Sequence, residues 1–241
     1  DAVAARPVDS WIYDRVEAIG GASSFLYGAG AVGGTINNIT KLAHRDGNHT
    51  DLKASYGRFD AVQLAAGTNR VLDERNAVRL DVSRNTINGW SEGVKREAWQ
   101  AAGSWQVDLT PALRHTLALE YQNERVDRPY WGTPVLKPVG DRIRIDEHTR
   151  FKNYNSADGL YEQRVRWARS ITEFKATDSL RLRNTLYHYS ALRDFQNVET
   201  YAFNASNTAV VRSNALLQRH DQTLNGNRLE FTLNGQLGGH R

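Results

Sequence analysis

Apolar and polar residues alternate through most of the chain from residue 50 onward. In NAVRLDVSR (76–84), Val78, Leu80 and Val82 fall on one side and Arg79, Asp81 and Ser83 on the other. In AWQAAGSWQVDL (98–109), Trp99, Ala101, Gly103, Trp105, Val107 and Leu109 oppose Gln100, Ser104, Gln106 and Asp108. TLALEYQNE sets Leu117, Leu119 and Tyr121 against Glu120, Gln122 and Glu124, and RLEFTLNGQL sets Leu229, Phe231, Leu233 and Leu237 against Arg228, Glu230, Thr232 and Gln236. A period of two belongs to strands with one face in an apolar environment, and helical periodicity is scarce. The expected class is all-β. Around VRWARSITEFK the apolar register shifts between Ile171 and Phe174, which predicts a bulge there.

The connections between these stretches differ in length. Short polar turns are expected near residues 72–76, 108–112, 177–179 and 238–240. Between them run longer excursions, NTINGWSEGVKRE and the segment from Arg125 to about Glu162, which is rich in charge. A loop of some 35 residues is far beyond the usual connection and is normally functional. Short turns at one end and long loops at the other, joined by strands of about ten residues or more, match a transmembrane antiparallel β-barrel. A soluble β-sandwich would have shorter strands and denser turn signals. The polar faces are also too polar to fill a small closed barrel, and suit a wide or plugged lumen. Residues 1–44 differ, with short apolar pieces, little charge and a run of glycines from Gly20 to Gly34.

Composition narrows the chemistry. The 241 residues include no Cys, which excludes a disulfide frame and thiolate sites, and no Met, which suggests an internal piece of a longer protein. No apolar run approaches the 18 or so residues of a spanning helix. The net charge of +4 is small, and its basic stretches are interleaved with acids, so no nucleic-acid partner is expected. Gly28, Gly30 and Gly33 spell G-x-G-x-x-G, but the following GTINNITK is a poor helix start and a fair strand, so the dinucleotide reading lacks its context. Asp141, Asp146, Glu147 and His148 lie in a charged loop without ligand spacing and read as solvated surface. The seven histidines show no metal-site spacing. Catalytic motifs are absent, and no enzyme is expected.

The stretch DRVEAIGGASSFLYGAGAVGGTINNITK (14–41) resembles the C-terminal end of the plug domain of TonB-dependent outer-membrane receptors. The likeness rests on Asp14-Arg15-Val16-Glu17, Leu26-Tyr27-Gly28, Gly33-Gly34-Thr35-Ile36-Asn37 and Ile39-Thr40-Lys41. Downstream, LKASYGRFDAVQLAAGTN resembles the first barrel hairpin, and DQTLNGNRLEFTLNGQLGGHR looks like the ferric-siderophore branch. The resemblance implies that the glycines serve tight turns and close packing of a small globule inside a barrel wall. It implies a plug portion at 1–44, a connector at 45–49, and about the first eight of twenty-two strands at 50–241. Arg15, Glu17, Tyr27, Gly28, Gly33, Gly34 and Asn37 would be structural plug positions. Where the family usually has R-G-P, this chain has Gly20-Gly21-Ala22. The usual plug latch, an arginine paired with barrel carboxylates, thus lacks its cation at Gly20, and Arg15 is only a partial substitute.

The same resemblance implies a receptor that binds a ferric siderophore outside the cell and imports it by the action of TonB, with ExbB and ExbD. TonB would engage a box outside this segment, and the barrel would sit in outer-membrane lipid. Iron would arrive chelated, so no cofactor and no protein metal ligand is implied. Tyr130-Trp131-Gly132 resembles an aromatic-glycine cluster of hydroxamate-siderophore receptors, and Tyr201 and Phe203 resemble paired aromatics of the next large loop. Arg128 and Trp90 join them by position in expected extracellular loops. Aromatics supply rigid contact area, and arginine pairs with anionic chelates. Trp99, Trp105 and Trp167 suit an interfacial girdle instead. Cobalamin, haem or an oligosaccharide remain alternative cargoes, and a passive outer-membrane barrel an alternative function.

Overall fold

A computed structural model describes residues 8–21, 33–137 and 142–235. Tyr27 and Gly28 lie outside the described residues, as do Gly30 and Asp141. Two antiparallel strands, β1 (Tyr13–Gly20) and β2 (Gly34–Thr40), form a small sheet of their own. The other eight are β3 (His49–Gly57), β4 (Ala61–Val71), β5 (Asn76–Asn88), β6 (Lys95–Thr110), β7 (Leu113–Asp127), β8 (Leu160–Lys175), β9 (Leu180–Phe203) and β10 (Val210–Leu233). They form one antiparallel meander in which each strand pairs with its neighbours in sequence. A short 3-10 turn, Glu147–Thr149, is the helical element among the described residues.

At one end β4–β5, β6–β7 and β8–β9 are joined by short turns, and at the other the connections reach the length of 128–159. In the first turn, Asp73 accepts hydrogen bonds from the backbone N–H groups of Arg75 (2.7 Å) and Asn76 (2.8 Å), a local substitute for ladder bonds. Strands lengthen along the sheet, from 9 residues in β3 to 24 in β9 and β10.

The two faces of the sheet invert the usual polarity of a protein. Leu64, Leu80, Trp99, Trp105, Leu117 and Leu119 point outward and are exposed. Buried on the opposite face are Asn69, Asp81, Gln100, Glu124 and Gln163. Register explains the sorting, since directly opposite residues share a face. Val82 pairs with Ala101, which pairs with Tyr121, whereas Asp81 pairs with Ala102, which pairs with Glu120. An apolar exterior around a polar interior is what a lipid-facing wall requires.

The hairpin and its flanks hold this polar face through hydrogen bonds. The Asp9 carboxylate accepts from Ser83 (2.9 Å) and Gln63 (3.3 Å), and also from Asn85 and Gln100. Thr40 Oγ1 donates to Glu120 at 2.7 Å, and Glu120 also pairs with Arg169. Lys41 Nζ stands 3.5 Å from Asp81, whose other oxygen takes Arg79 Nε at 2.6 Å. Arg96 binds both Glu124 and the Val8 carbonyl. Arg15 pairs with Asp14 (2.9 Å) and Glu17 (2.8 Å) on the exposed side of the hairpin. Contact with the sheet therefore runs through Val8, Asp9, Trp11, Thr40 and Lys41. Within the hairpin, Asn37 donates to Glu17 at 3.2 Å, and a Cβ at Gly34 would stand 2.9 Å from the Ile19 carbonyl oxygen.

Two local expectations are corrected. The β7–β8 register runs unbroken from Leu113–Phe174 to Asp127–Leu160, so there is no bulge between Ile171 and Phe174. Ile171 lies on the inner face opposite Thr116, and Phe174 lies on the outer face between Leu113 and Leu182. The composition of each face changes there while the backbone keeps its alternation. Trp167 is not an outward girdle residue. It pairs opposite Glu120 on the inner face, with the Arg169 guanidinium 4.7 Å from its ring centroid.

Candidate functional site

Aromatic side chains gather at the long-loop end of the inner face. The chain leaves β7 through Arg128, whose φ of 46° turns it sharply. Two buried asparagines then staple the loop. Asn153 Nδ2 donates to the Arg128 carbonyl (2.7 Å), and Arg128 Nη2 donates to the Asn153 carbonyl (3.0 Å). Asn155 Nδ2 donates to the Pro129 carbonyl (2.9 Å), while its Oδ1 accepts from Val198 N on β9 (3.0 Å). The loop of residues 89–94 joins the assembly through Glu92 N, which donates to the Phe151 carbonyl at 2.9 Å, and a Lys152–Glu92 ion pair at 3.2 Å. Lys137 N donates to Asn207 Oδ1 at 2.7 Å, tying the long loop to the tip of the β9–β10 hairpin. Polar side chains thus do for this loop what ladder hydrogen bonds do for a strand.

This framework presents a cavity of about 420 Å³ lined by Tyr130, Trp131, Tyr161, Arg193, Phe195 and Gln218, with Glu199 on its wall. Phe195 is the hub. Its ring centroid lies 5.8 Å from that of Trp131 and 6.2 Å from that of Tyr161, the latter edge to face. Trp131 is half exposed, and Phe195 is buried. Such a combination of apolar walls with a few polar groups is the usual make-up of a small-molecule site.

Of the residues singled out from the sequence, Tyr130 and Trp131 line this cavity together. Trp90 packs against Tyr130 with centroids 4.6 Å apart, but faces an adjoining hollow shared with Phe151. Arg128 lies against Gly93, where a Cβ would meet the guanidinium at 2.5 Å, and so shapes the loop base. Tyr201 lies tilted against Tyr154, ring centroids 6.2 Å apart, and burial raises the pKa of that loop tyrosine above the ordinary phenol value. Phe203 is buried near the hairpin tip, opposite Val210, outside the lining. Asp146 accepts from His148 N (3.0 Å) as the cap of the 3-10 turn, which holds its carboxyl below the usual carboxylate range. Tyr161, Arg193, Phe195 and Gln218 were not singled out from the sequence. The signal that could have found them is parity, because Tyr161, Arg193 and Phe195 occupy the inward positions of strands whose neighbours point outward.

The curated relatives are receptors for siderophores and other metal chelates, with vitamin B12 transporters among them. The chain is 30% identical over 141 residues to the probable TonB-dependent receptor BfrD of Bordetella pertussis, a match covering 55% of this chain and 19% of the relative. It is 32% identical over 144 residues to the ferric-pyoverdine M114 receptor PbuA of a Pseudomonas species, covering 58% and 17%. Over these stretches the chain is similar to TonB-dependent and ferric-siderophore receptors. Among solved structures, the closed form of the ferric-catecholate import receptor Fiu from E. coli K12 superposes with a TM-score of 0.84 at 23% identity. That match covers 95% of this chain and 35% of Fiu, and it establishes a shared fold. The chain aligns with less than a fifth of the length of these two curated relatives. No family model matches it.

Proposed function

We propose that the sequence forms part of a Gram-negative outer-membrane receptor that binds a ferric siderophore and imports it with energy delivered by TonB. The single observation that supports this most directly is the hairpin β1–β2 tethered across the polar inner face of an outward-apolar sheet, below an aromatic cavity at the long-loop end. In this reading the hairpin is the end of a plug, and residues from 49 onward are barrel wall. Tyr130 and Trp131 contact the chelate, Trp90 supports Tyr130 from behind, and Arg128 fixes the loop that carries both. Tyr201 and Phe203 stiffen the neighbouring hairpin. TonB, working with ExbB and ExbD, pulls the plug away from contacts such as Asp9–Ser83 and Thr40–Glu120. Iron enters as cargo within its chelate, so the protein supplies shape and charge and no metal ligand. The same fold would serve cobalamin, haem or a glycan. Aromatics beside an arginine in the cavity favour an organic ferric chelate.

The test is uptake of radiolabelled iron by cells producing the receptor that carries this sequence, offered catecholate, ferrichrome-type or citrate chelates, with and without functional TonB. Uptake of one chelate class that disappears without TonB is the expected result. Binding to none of them would overturn the siderophore reading and turn attention to the other cargoes.

A further inference from the structure

We propose that residues 43–48 belong mechanically to the wall and not to the hairpin, so that the part of the receptor displaced during import ends at Leu42, and that Asn69 is the positioning residue of this fulcrum. The inference rests on the receptor reading above and adds where its moving part stops. Hydrogen-bond partners change sides across three residues. Lys41 N donates to the Ile12 carbonyl at 2.9 Å, the backbone bond that closes the hairpin. Ala43 N donates instead to Ser104 Oγ on β6 at 2.7 Å, and Ala43 is buried. Leu42, between them, is tied to neither side by a hydrogen bond among the described residues.

From there the segment runs along the inner face from β6 to β4 and into β3. Asn69, fully buried on β4, grips both backbone groups of one residue. Its Oδ1 accepts from His44 N at 3.2 Å, and its Nδ2 donates to the carbonyls of His44 (2.9 Å) and Gly47 (2.8 Å). A primary amide that meets one N–H and two carbonyls in this way replaces the ladder bonds of a neighbouring strand. Arg45 reaches the Glu74 carbonyl in the β4–β5 turn and Asp108 on β6. Asn48 Oδ1 accepts from Val71 N at 2.6 Å, and the His44 ring stacks on that of His49 with centroids 5.3 Å apart. The hairpin holds the wall differently, through the side chains of Thr40 and Lys41, while its backbone bonds stay within the β1–β2 pair. Force applied upstream of the hairpin thus meets contacts that break one at a time. Opening residues 43–47 would strip a buried amide of three partners together, which is the costlier event.

The experiment uses the intact receptor carrying this sequence. Hydrogen exchange of the wild type in detergent should find the amides of Ala43 and His44 as protected as those of β4, with neither cargo nor TonB present. Exchange at the rate of an open loop would overturn the inference without any variant having to fold. Asn69→Asp keeps an acceptor for His44 N and removes both donors, so exchange at residues 43–47 should rise about tenfold to a hundredfold. TonB-dependent uptake of radiolabelled ferric chelate should fall in this variant, because the pull is spent on lengthening the connector, while chelate affinity in detergent stays unchanged. A loss of affinity and uptake together would mark Asn69 as structural only and overturn its positioning role. Two cysteine pairs, each bridged by a short thiol-specific linker, locate the fulcrum directly. Bridging Ala43→Cys to Ser104→Cys should leave uptake intact, and bridging Asp9→Cys to Ser83→Cys should stop uptake and spare binding. Uptake lost with the first bridge, or surviving the second, would overturn the inference and leave the receptor reading standing. A wild type that imports no chelate would sink the receptor reading, and exchange at Ala43 and His44 would still decide where the wall begins.

Discussion

Thr40 and Glu120, eighty residues apart in sequence, meet through a 2.7 Å hydrogen bond on the buried face of the sheet. Thr40 ends the hairpin strand β2, and Glu120 sits in the middle of β7, already paired with Arg169. Thr40→Val keeps the shape and removes the donor. A hydrogen bond to a charged group is worth about 1.5–3 kcal/mol, so segment opening should become roughly tenfold to a hundredfold more frequent. Tryptic cleavage after Lys41 or Arg45 should accelerate accordingly. Unchanged cleavage would mean that the hairpin is held elsewhere.

Asp81 gathers Arg79 and Lys41 in a place sealed from water. Asp81→Ala leaves two cations without their counter-ion, and breaking a buried pair of this sort costs about 3–5 kcal/mol. We expect a lower thermal midpoint for the receptor in detergent. A double variant, Asp81→Leu with Arg79→Leu, should recover part of that loss. Equal losses for the single and double variants would contradict the account.

Gly67 offers a gentler route to the same point. A Cβ there would overlap Asp81 Oδ1 and stand 3.6 Å from the Trp11 ring. Trp11 also carries Lys41 over its face, 4.6 Å from the ring centroid, and donates from Nε1 to the Ala66 carbonyl. Gly67→Ala should therefore displace Asp81 and destabilise by about 1–3 kcal/mol, the usual cost of overpacking. Trp11 fluorescence, read in a background lacking the other tryptophans, should change at the same time.

Trp90 and Tyr130 make the closest aromatic contact at the long-loop end, 4.6 Å at an angle of 67°. Trp90→Ala removes the support behind Tyr130 without removing a cavity-lining side chain. Such pairs are worth about 0.5–1.5 kcal/mol, so chelate affinity should fall no more than about tenfold. A complete loss of binding would place Trp90 in direct contact with the ligand.

The turn at residues 72–75 gives a pH prediction. The backbone N–H of Arg75, then the Asn76 side chain, hold the Asp73 carboxyl below the ordinary carboxylate range. A depressed folded value contributes stability above the unfolded pKa of about 3.9, and that contribution fades as pH falls through the folded value. Carboxyl carbon shifts of Asp73 should titrate below those of a carboxylate in a disordered peptide. A titration at the ordinary value would remove the turn's pH dependence.

Much of the outward face was readable from the chain alone, because lipid-facing positions such as Val78, Leu80 and Val82 obey a strictly local period. The turns near 72–76, 108–112 and 177–179 carried their own polar and proline signals. The inward face was harder. Its identity depends on partners at separations such as 91 residues for Asp9 and Gln100, or 25 for Arg193 and Gln218, and no local period encodes these. Trp167 shows the difficulty: tryptophan suits a membrane interface and a polar lumen equally well, and only strand register separates the two. Arg193 escaped notice for a related reason, since one arginine among several on alternating strands looks like solvated surface until strand register places it beside Phe195 in the cavity.

The two long strands β9 and β10 have a mechanical consequence. At about 3.3 Å per residue, 24 residues span roughly 80 Å, and a tilt near 40° leaves roughly 60 Å along the membrane normal. An apolar band is only about 25 Å tall, so some 35 Å of hairpin stands clear of it. The cavity wall is thus mounted on a lever anchored in lipid, and a change of about 10° in tilt would swing the far end by roughly 8 Å.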